Sequence, residues 1–155
     1  MNVHEYFEFI LETEEACAQI RHVLESREVA AGMAKQGFGG CRSTGVSDPT
    51  ASAAAALEEC RSRLKDRLSL LSRLKACGSE LLDQLPAESW LQAMGIRYLE
   101  GQTVEQAAFL MWYSKRNIYK LIGNAMTWLD ASGTYERIVQ KHFPEGIVDK
   151  SHARY

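Results

Sequence analysis

The sequence has few of the residues that interrupt helices or that bind metals. None of its three prolines lies between Val3 and Gln36. The four cysteines include no C-x-x-C pair, and the four histidines are scattered without the spacing of metal ligands. We therefore expect reduced thiols and no bound metal.

The chain also lacks the motifs of common catalytic sites. It contains no glycine-rich phosphate loop beside a strand and no nucleophile elbow. The GFGG run at 37–40 is a single glycine cluster between helical patterns, which a flexible connector explains. The carboxylates of the first 15 residues fit a solvated helical face. We expect neither enzymatic activity nor a cofactor.

The N-terminus is acidic and has no long apolar run, so it resembles neither a signal peptide nor a membrane anchor. We expect a soluble, cytoplasmic protein with no membrane partner. The formal net charge of −2 does not by itself demand a polyanionic partner. Any binding to nucleic acid must therefore come from a local basic surface.

Two long amphipathic segments make up the first half of the chain. Apolar residues recur with a helical period between Val3 and Gln36 and again over 51–85, and the glycine-rich stretch 37–50 separates the two segments. The seam residues are Val3, Ile10, Cys17, Leu24 and Ala31 in the first segment, and Leu57, Cys60, Leu64, Leu68, Leu71, Leu74, Leu81 and Leu85 in the second. Neither helix can bury its stripe alone. We predict an antiparallel, coiled-coil-like hairpin over 1–85, closed within one chain or completed by a second copy.

The charges of the two segments have opposite signs. Residues 1–36 hold three basic and seven acidic side chains, whereas residues 61–75 hold six basic side chains and one acidic. Two interpretations stay open. Either both runs are solvated helix faces that help to set the register, or the arginine-rich face contacts phosphate.

Three shorter helices are predicted after Pro86. The first covers about 87–99 and ends at Glu100-Gly101, the second begins with the capping-box spacing of Thr103 and Gln106, and the third begins at Ser114. This order predicts a tri-helical helix-turn-helix over 86–132, followed by a short helix and a mobile tail over 133–155. The fold class is thus all-α.

The second and third of these helices satisfy most steric needs of a helix-turn-helix. Ala108 is the small residue that a close helix crossing requires, and apolar residues occur at the corner positions Ala107, Met111, Tyr113, Ile118 and Leu121. Trp112 departs from the pattern, because the turn usually holds a glycine with positive φ. A tryptophan in that conformation would cost about 1–2 kcal/mol.

The run LPAESWLQAMGIRYLEGQTVEQAAFLMWYSKRNIYKLIGNAMTWL resembles region 4 of bacterial sigma factors. The whole layout more closely resembles the small phage transcriptional regulators of the ArpU and RinA type. The matching residues are Leu85, Pro86, Arg97, Tyr98, Gly101, Thr103, Ala108, Tyr113, Ser114, Arg116, Ile118, Tyr119, Leu121, Ala125 and Leu129. The resemblance implies a phage or prophage regulator whose last helix, 114–130, binds in the major groove of duplex DNA.

The candidate DNA contacts are polar and basic residues in the first turns of that helix. They are Ser114, Lys115, Arg116, Asn117, Tyr119, Lys120 and Asn124. Residues 114–155 hold seven basic and four acidic side chains, which makes this end of an acidic protein locally basic. The alternative is the ordinary polar face of a surface helix.

A second candidate surface is apolar. The resembled family usually has polar residues at the positions of Phe109 and Leu110, and Trp112 follows them. We predict that these three residues pack against the hairpin, a second subunit or a polymerase partner. The alternative function is accordingly a protein-interaction module that binds RNA polymerase or another regulator instead of DNA. A homo-oligomer is expected in both cases.

Overall fold

The computed structural model describes residues 1–36 and 49–147. These residues form six helices, named here α1 (Val3–Gln36), α2 (Pro49–Asp83), α3 (Glu88–Met94), α4 (Val104–Met111), α5 (Lys115–Ala131) and α6 (Thr134–His142). No strand occurs in the described ranges, so the predicted all-α class is confirmed. Most of the predicted connector (37–48) and the end of the predicted tail (148–155) lie outside the described residues.

The two long helices begin and end close to the predicted bounds. A reciprocal cap opens α1: the Glu5 backbone amide donates to Asn2 Oδ1, and the Asn2 amide donates to Glu5 Oε2, each at 2.8 Å.

None of the described helices combines the length and the apolar composition that crossing a bilayer requires.

The chain divides into two compact units, and the boundaries between them fall inside α1 and α2. One unit contains Met1–Glu12 and the described residues from Leu71 onwards, and the other contains the described residues between Thr13 and Leu70. The sequence predicts a domain boundary at 85/86, at the end of the predicted hairpin. The contacts group the first turns of α1 and the last turns of α2 with the C-terminal helices instead.

The core of the first unit explains this grouping. The Tyr6 hydroxyl donates to the Leu74 carbonyl at 2.7 Å, and the Tyr6 ring lies edge-on to Tyr135 of α6. The Phe7 ring lies 5.2 Å from Tyr98, measured between centroids. A Cβ on Gly78 would lie 3.3 Å from both Ile10 Cδ1 and Leu99 Cδ2, so glycine permits this close packing. The first turns of α1 therefore contribute core residues to the first unit.

Burial raises the pKa of several tyrosines in this core. Loss of solvation raises the pKa of Tyr98 to about 12, with a further contribution from nearby Glu8. It also raises the pKa of Tyr135 to about 12. These hydroxyls stay protonated at neutral pH, and those of Tyr6 and Tyr135 donate to backbone carbonyls.

The second unit has fewer buried apolar residues than the first. Cys17 of α1 and Cys60 of α2 are buried, whereas Leu24, Leu57 and Leu64 are half-buried. Arg61 pairs with Glu28 of α1 at 2.9 Å and with Glu58 of its own helix at 3.2 Å. The first of these pairs joins the acidic and basic segments that the sequence singled out. Among the described residues, Cys17, Cys60 and Cys77 are buried and form no disulfide.

In the first unit, Glu80 of α2 contacts two side chains of α6, and the strength of this interaction depends on pH. Glu80 accepts from Lys141 Nζ at 2.7 Å and lies 2.6 Å from His142 Nε2. The hydrogen bonds from Lys141 and His142 lower the pKa of Glu80 below its ordinary value. The interaction therefore contributes to stability above the usual carboxyl pKa of about 4.3, and this contribution is lost as the pH falls through the lowered value.

We expect Glu80→Gln to destabilise the protein at neutral pH and to reduce the loss of stability in acid. The check is the melting temperature across the acidic range, with Glu136→Gln on the exposed face of α6 as the matched control. An unchanged pH dependence for Glu80→Gln would show that the cluster does not contribute.

Candidate nucleic-acid interface

The helix that precedes the candidate site is anchored in the core and ends at a glycine. After Met94, α3 continues into a π-helical turn over Gly95–Leu99, where the Glu100 amide donates to the Gly95 carbonyl at 3.0 Å. Gly101 then adopts a φ of 70°, a conformation that favours glycine. The predicted stop at Glu100-Gly101 is confirmed, whereas the sequence did not predict the π-helical turn.

Both predicted helix caps at the site are present. The Thr103 hydroxyl accepts from the Gln106 amide at 3.2 Å while the Gln106 side chain accepts from the Thr103 amide at 2.8 Å. Ser114 Oγ accepts from the Asn117 amide at 3.2 Å. These caps fix where α4 and α5 begin, and three residues, Trp112 to Ser114, connect the two helices.

The inner face of α5 is packed, so its other face is fixed in orientation. Ile118, Ile122, Ala125 and Leu129 are buried, and α5 contacts α3, α4 and α6. Of the predicted corner residues, Ala107 and Ile118 are buried, and Met111 and Leu121 are half-buried. Tyr113 is 43% exposed, so its prediction as a corner plug is wrong.

The predicted DNA contacts extend from the N-cap of α5 to the middle of the helix. Ser114 is the N-cap, and Lys115, Arg116, Tyr119, Lys120 and Asn124 are exposed while Asn117 is half-buried. Because residues four apart lie one above the other on a helix, Arg116, Lys120 and Asn124 form one outward stripe. We call these three residues the polar stripe. Tyr119 is 56% exposed and is available beside this stripe.

Along the sequence, the segment that carries the polar stripe is basic, and the acid that directly precedes it, Glu105, pairs with Lys115. The 24 residues from Gln106 to Leu129 contain three basic side chains and no acidic one. Lys115 Nζ pairs with Glu105 Oε1 at 2.6 Å, and this contact lowers the pKa of Glu105 and raises that of Lys115. Within the described ranges, Arg116 and Lys120 make no ion pair. They are therefore the cations of this segment that are free to meet an anionic ligand.

Trp112 adopts the positive-φ conformation that the turn of a helix-turn-helix usually assigns to glycine. Its φ of 60° and ψ of 34° are left-handed, and it is the only residue other than glycine with positive φ in the described part of the chain. The Tyr113 amide donates to the Ala108 carbonyl at 3.0 Å, which is the capping bond that usually accompanies a glycine at this place. The turn thus has its usual hydrogen bond, and the backbone of Trp112 is strained.

The predicted intramolecular cover of the apolar residues is wrong. Phe109 is 83% exposed, Leu110 is 54% exposed and Trp112 is 94% exposed. They lie on the outer face of α4 and at its end, whereas Val104 and Ala107 face the core. The hairpin therefore does not cover these residues, and contact with a second subunit or a polymerase stays a prediction.

Because the Trp112 ring contributes almost no burial, replacing it with glycine should stabilise the fold. Relief of about 1–2 kcal/mol of strain, less about 0.5–1 kcal/mol for the flexibility of glycine, leaves a gain of up to about 1.5 kcal/mol for Trp112→Gly. The measurement is urea denaturation, with Trp112→Ala as the control that removes the ring and keeps the strain. If glycine is no more stabilising than alanine, the conformation of this turn is not strained.

No protein-family model, curated protein or solved structure matches the chain. The geometry described above is therefore the basis for assigning the site.

Proposed function

We propose that this protein is a sequence-specific DNA-binding transcriptional regulator in which α3, α4 and α5 form a helix-turn-helix unit. The observation that carries the proposal is the polar stripe of α5. It presents Arg116, Lys120 and Asn124 from a helix whose opposite face is buried, in a stretch without acidic residues. A rigid helix with such a face fits the major groove.

The residues of α5 have different roles in this proposal. Arg116 and Lys120 have donors suited to guanine edges or phosphates, and Asn117 and Asn124 have amides suited to adenine. Ser114 and Tyr119 contribute hydroxyl groups near the start of the helix, where phosphate contacts fix the register of a protein on duplex DNA. Lys115 is paired with Glu105 and contributes less charge than its neighbours.

The two long helices serve as an antiparallel hairpin that assembles copies of the chain. In one unit the start of α1 contacts the second half of α2, through Tyr6 and Leu74. In the other, the middle and end of α1 contact the first half of α2, through Ile20 with Cys60 and Glu28 with Arg61. A homodimer would present two copies of α5 to two half-sites of a palindromic target.

A mobility-shift assay over a salt series tests this proposal. Because phosphate contacts release counterions, binding to duplex DNA should weaken steeply as salt rises. The resemblance to small phage regulators supports using DNA from a phage or prophage as the first source of probes. Absence of any shift at low salt would exclude the DNA-binding function.

The exposed apolar residues favour a second candidate function. A module that binds RNA polymerase or another regulator would use Phe109, Leu110 and Trp112 as its contact surface. In that case the mobility-shift assay gives no signal, and substitution of these residues abolishes association with polymerase.

A further inference from the structure

The exposed aromatic side chains of the chain are concentrated in one short segment. Among the described residues, every exposed aromatic side chain lies between positions 109 and 119. They are Phe109, Trp112, Tyr113 and Tyr119, and we call them the aromatic cluster. The other aromatic residues in the described ranges are buried or half-buried.

Folding does not account for the most exposed member of this cluster. Trp112 occupies a left-handed position that favours glycine, and its ring is 94% exposed. A tryptophan at this position therefore strains the backbone, and its exposed ring makes little packing contact that could offset the strain. Strain of this kind persists at positions where function requires a particular side chain.

The surroundings of the cluster indicate the chemistry of what it binds. Arg116 and Lys120 lie within a few residues of the rings and make no ion pair in the described part of the chain, whereas Lys115 pairs with Glu105. Cations that neutralise phosphates, together with rings on which bases stack, characterise surfaces that bind unpaired nucleotides. The Trp112 ring is 94% exposed, so it is accessible to an unpaired base.

The location of Trp112 fits the same ligand. It lies two residues before Ser114, the N-cap of α5, and α5 is the helix proposed to enter the groove. We propose that Trp112 and Phe109 stack on bases that are unstacked at the edge of the site bound by α5. The protein then prefers duplex DNA with an unpaired or kinked step. This inference rests on the proposed function.

The test compares two fluorescent duplexes that differ only by one unpaired thymine, with binding measured by anisotropy at low salt. We expect the wild type to bind the bulged duplex about tenfold more tightly than the regular one, in line with the effect of one stacked base. Trp112→Gly, which suits the turn, should lose this preference and keep its affinity for the regular duplex. Trp112→Phe should restore most of the preference.

The outcomes separate the inference from the proposed function. Arg116→Ala should weaken binding to both duplexes equally. If the wild type shows no preference, or if Trp112→Gly weakens both complexes equally, the stacking role is wrong while DNA binding stands. The stacking role is also wrong if Trp112→Gly changes the mass of the protein in solution, because the ring then lies between copies of the chain. If the wild type binds neither duplex, both proposals fail.

Discussion

Replacing Arg116 and Lys120 with alanine should abolish specific DNA binding and leave helicity and melting temperature nearly unchanged. Both side chains are exposed and make no ion pair in the described part of the chain, so their removal takes little from the fold. Each contact to a base edge contributes about 1–3 kcal/mol, and the loss of two corresponds to roughly 30-fold to more than 10,000-fold in affinity. The measurements are a mobility shift and circular dichroism on the same preparations.

The matched control is Arg63→Ala with Lys65→Ala, which removes the same charge from the exposed surface of α2. We expect this variant to keep specific binding. If the control loses binding while the α5 variant retains it, the DNA-binding surface is the arginine-rich face of α2, the alternative that the sequence left open.

Leu74→Asp should unfold the protein or leave it marginally stable. Leu74 is completely buried in the core that joins α1, α2 and the C-terminal helices, and its carbonyl accepts from Tyr6. An unpaired buried carboxylate costs several kcal/mol, a large part of the roughly 5–15 kcal/mol that stabilises a folded protein. The check is thermal unfolding followed by circular dichroism.

Leu68→Asp supplies the comparison for this core substitution. Leu68 lies on the same helix and is 37% exposed, so the same change there should have a much smaller effect. Equal melting temperatures for the two variants would show that the core has been assigned to the wrong residues.

The elements of this fold were predictable because local interactions determine them. The caps at Thr103 and Ser114 follow from side chains that reach backbone amides three residues away. The glycine stop at Gly101 follows from its allowed positive φ. The long helices follow from heptad spacing, which needs no knowledge of the partner surface. The candidate DNA contacts follow in the same way from their places on α5.

What the sequence could not show depends on contacts between distant residues. Tyr6 and Phe7 belong to the core of the first unit, where they contact Tyr135 and Tyr98. These partners are about 90 to 130 residues away in sequence, so a local pattern cannot identify them. The cover expected over Phe109 follows from its apolar side chain, and apolar character does not specify which surface provides the burial. The exposure of Tyr113 was missed for the same reason, although its place after a left-handed turn was a signal.

Selection from a pool of random-sequence duplexes tests the central claim most directly, because it requires both DNA binding and base recognition by the folded protein. We predict that repeated rounds with the wild type converge on one consensus sequence, with two half-sites if the chain is a dimer. The variant lacking Arg116 and Lys120 should yield no consensus from the same pool. Failure of the folded wild type to enrich any sequence would contradict the assignment of this protein as a sequence-specific DNA-binding regulator.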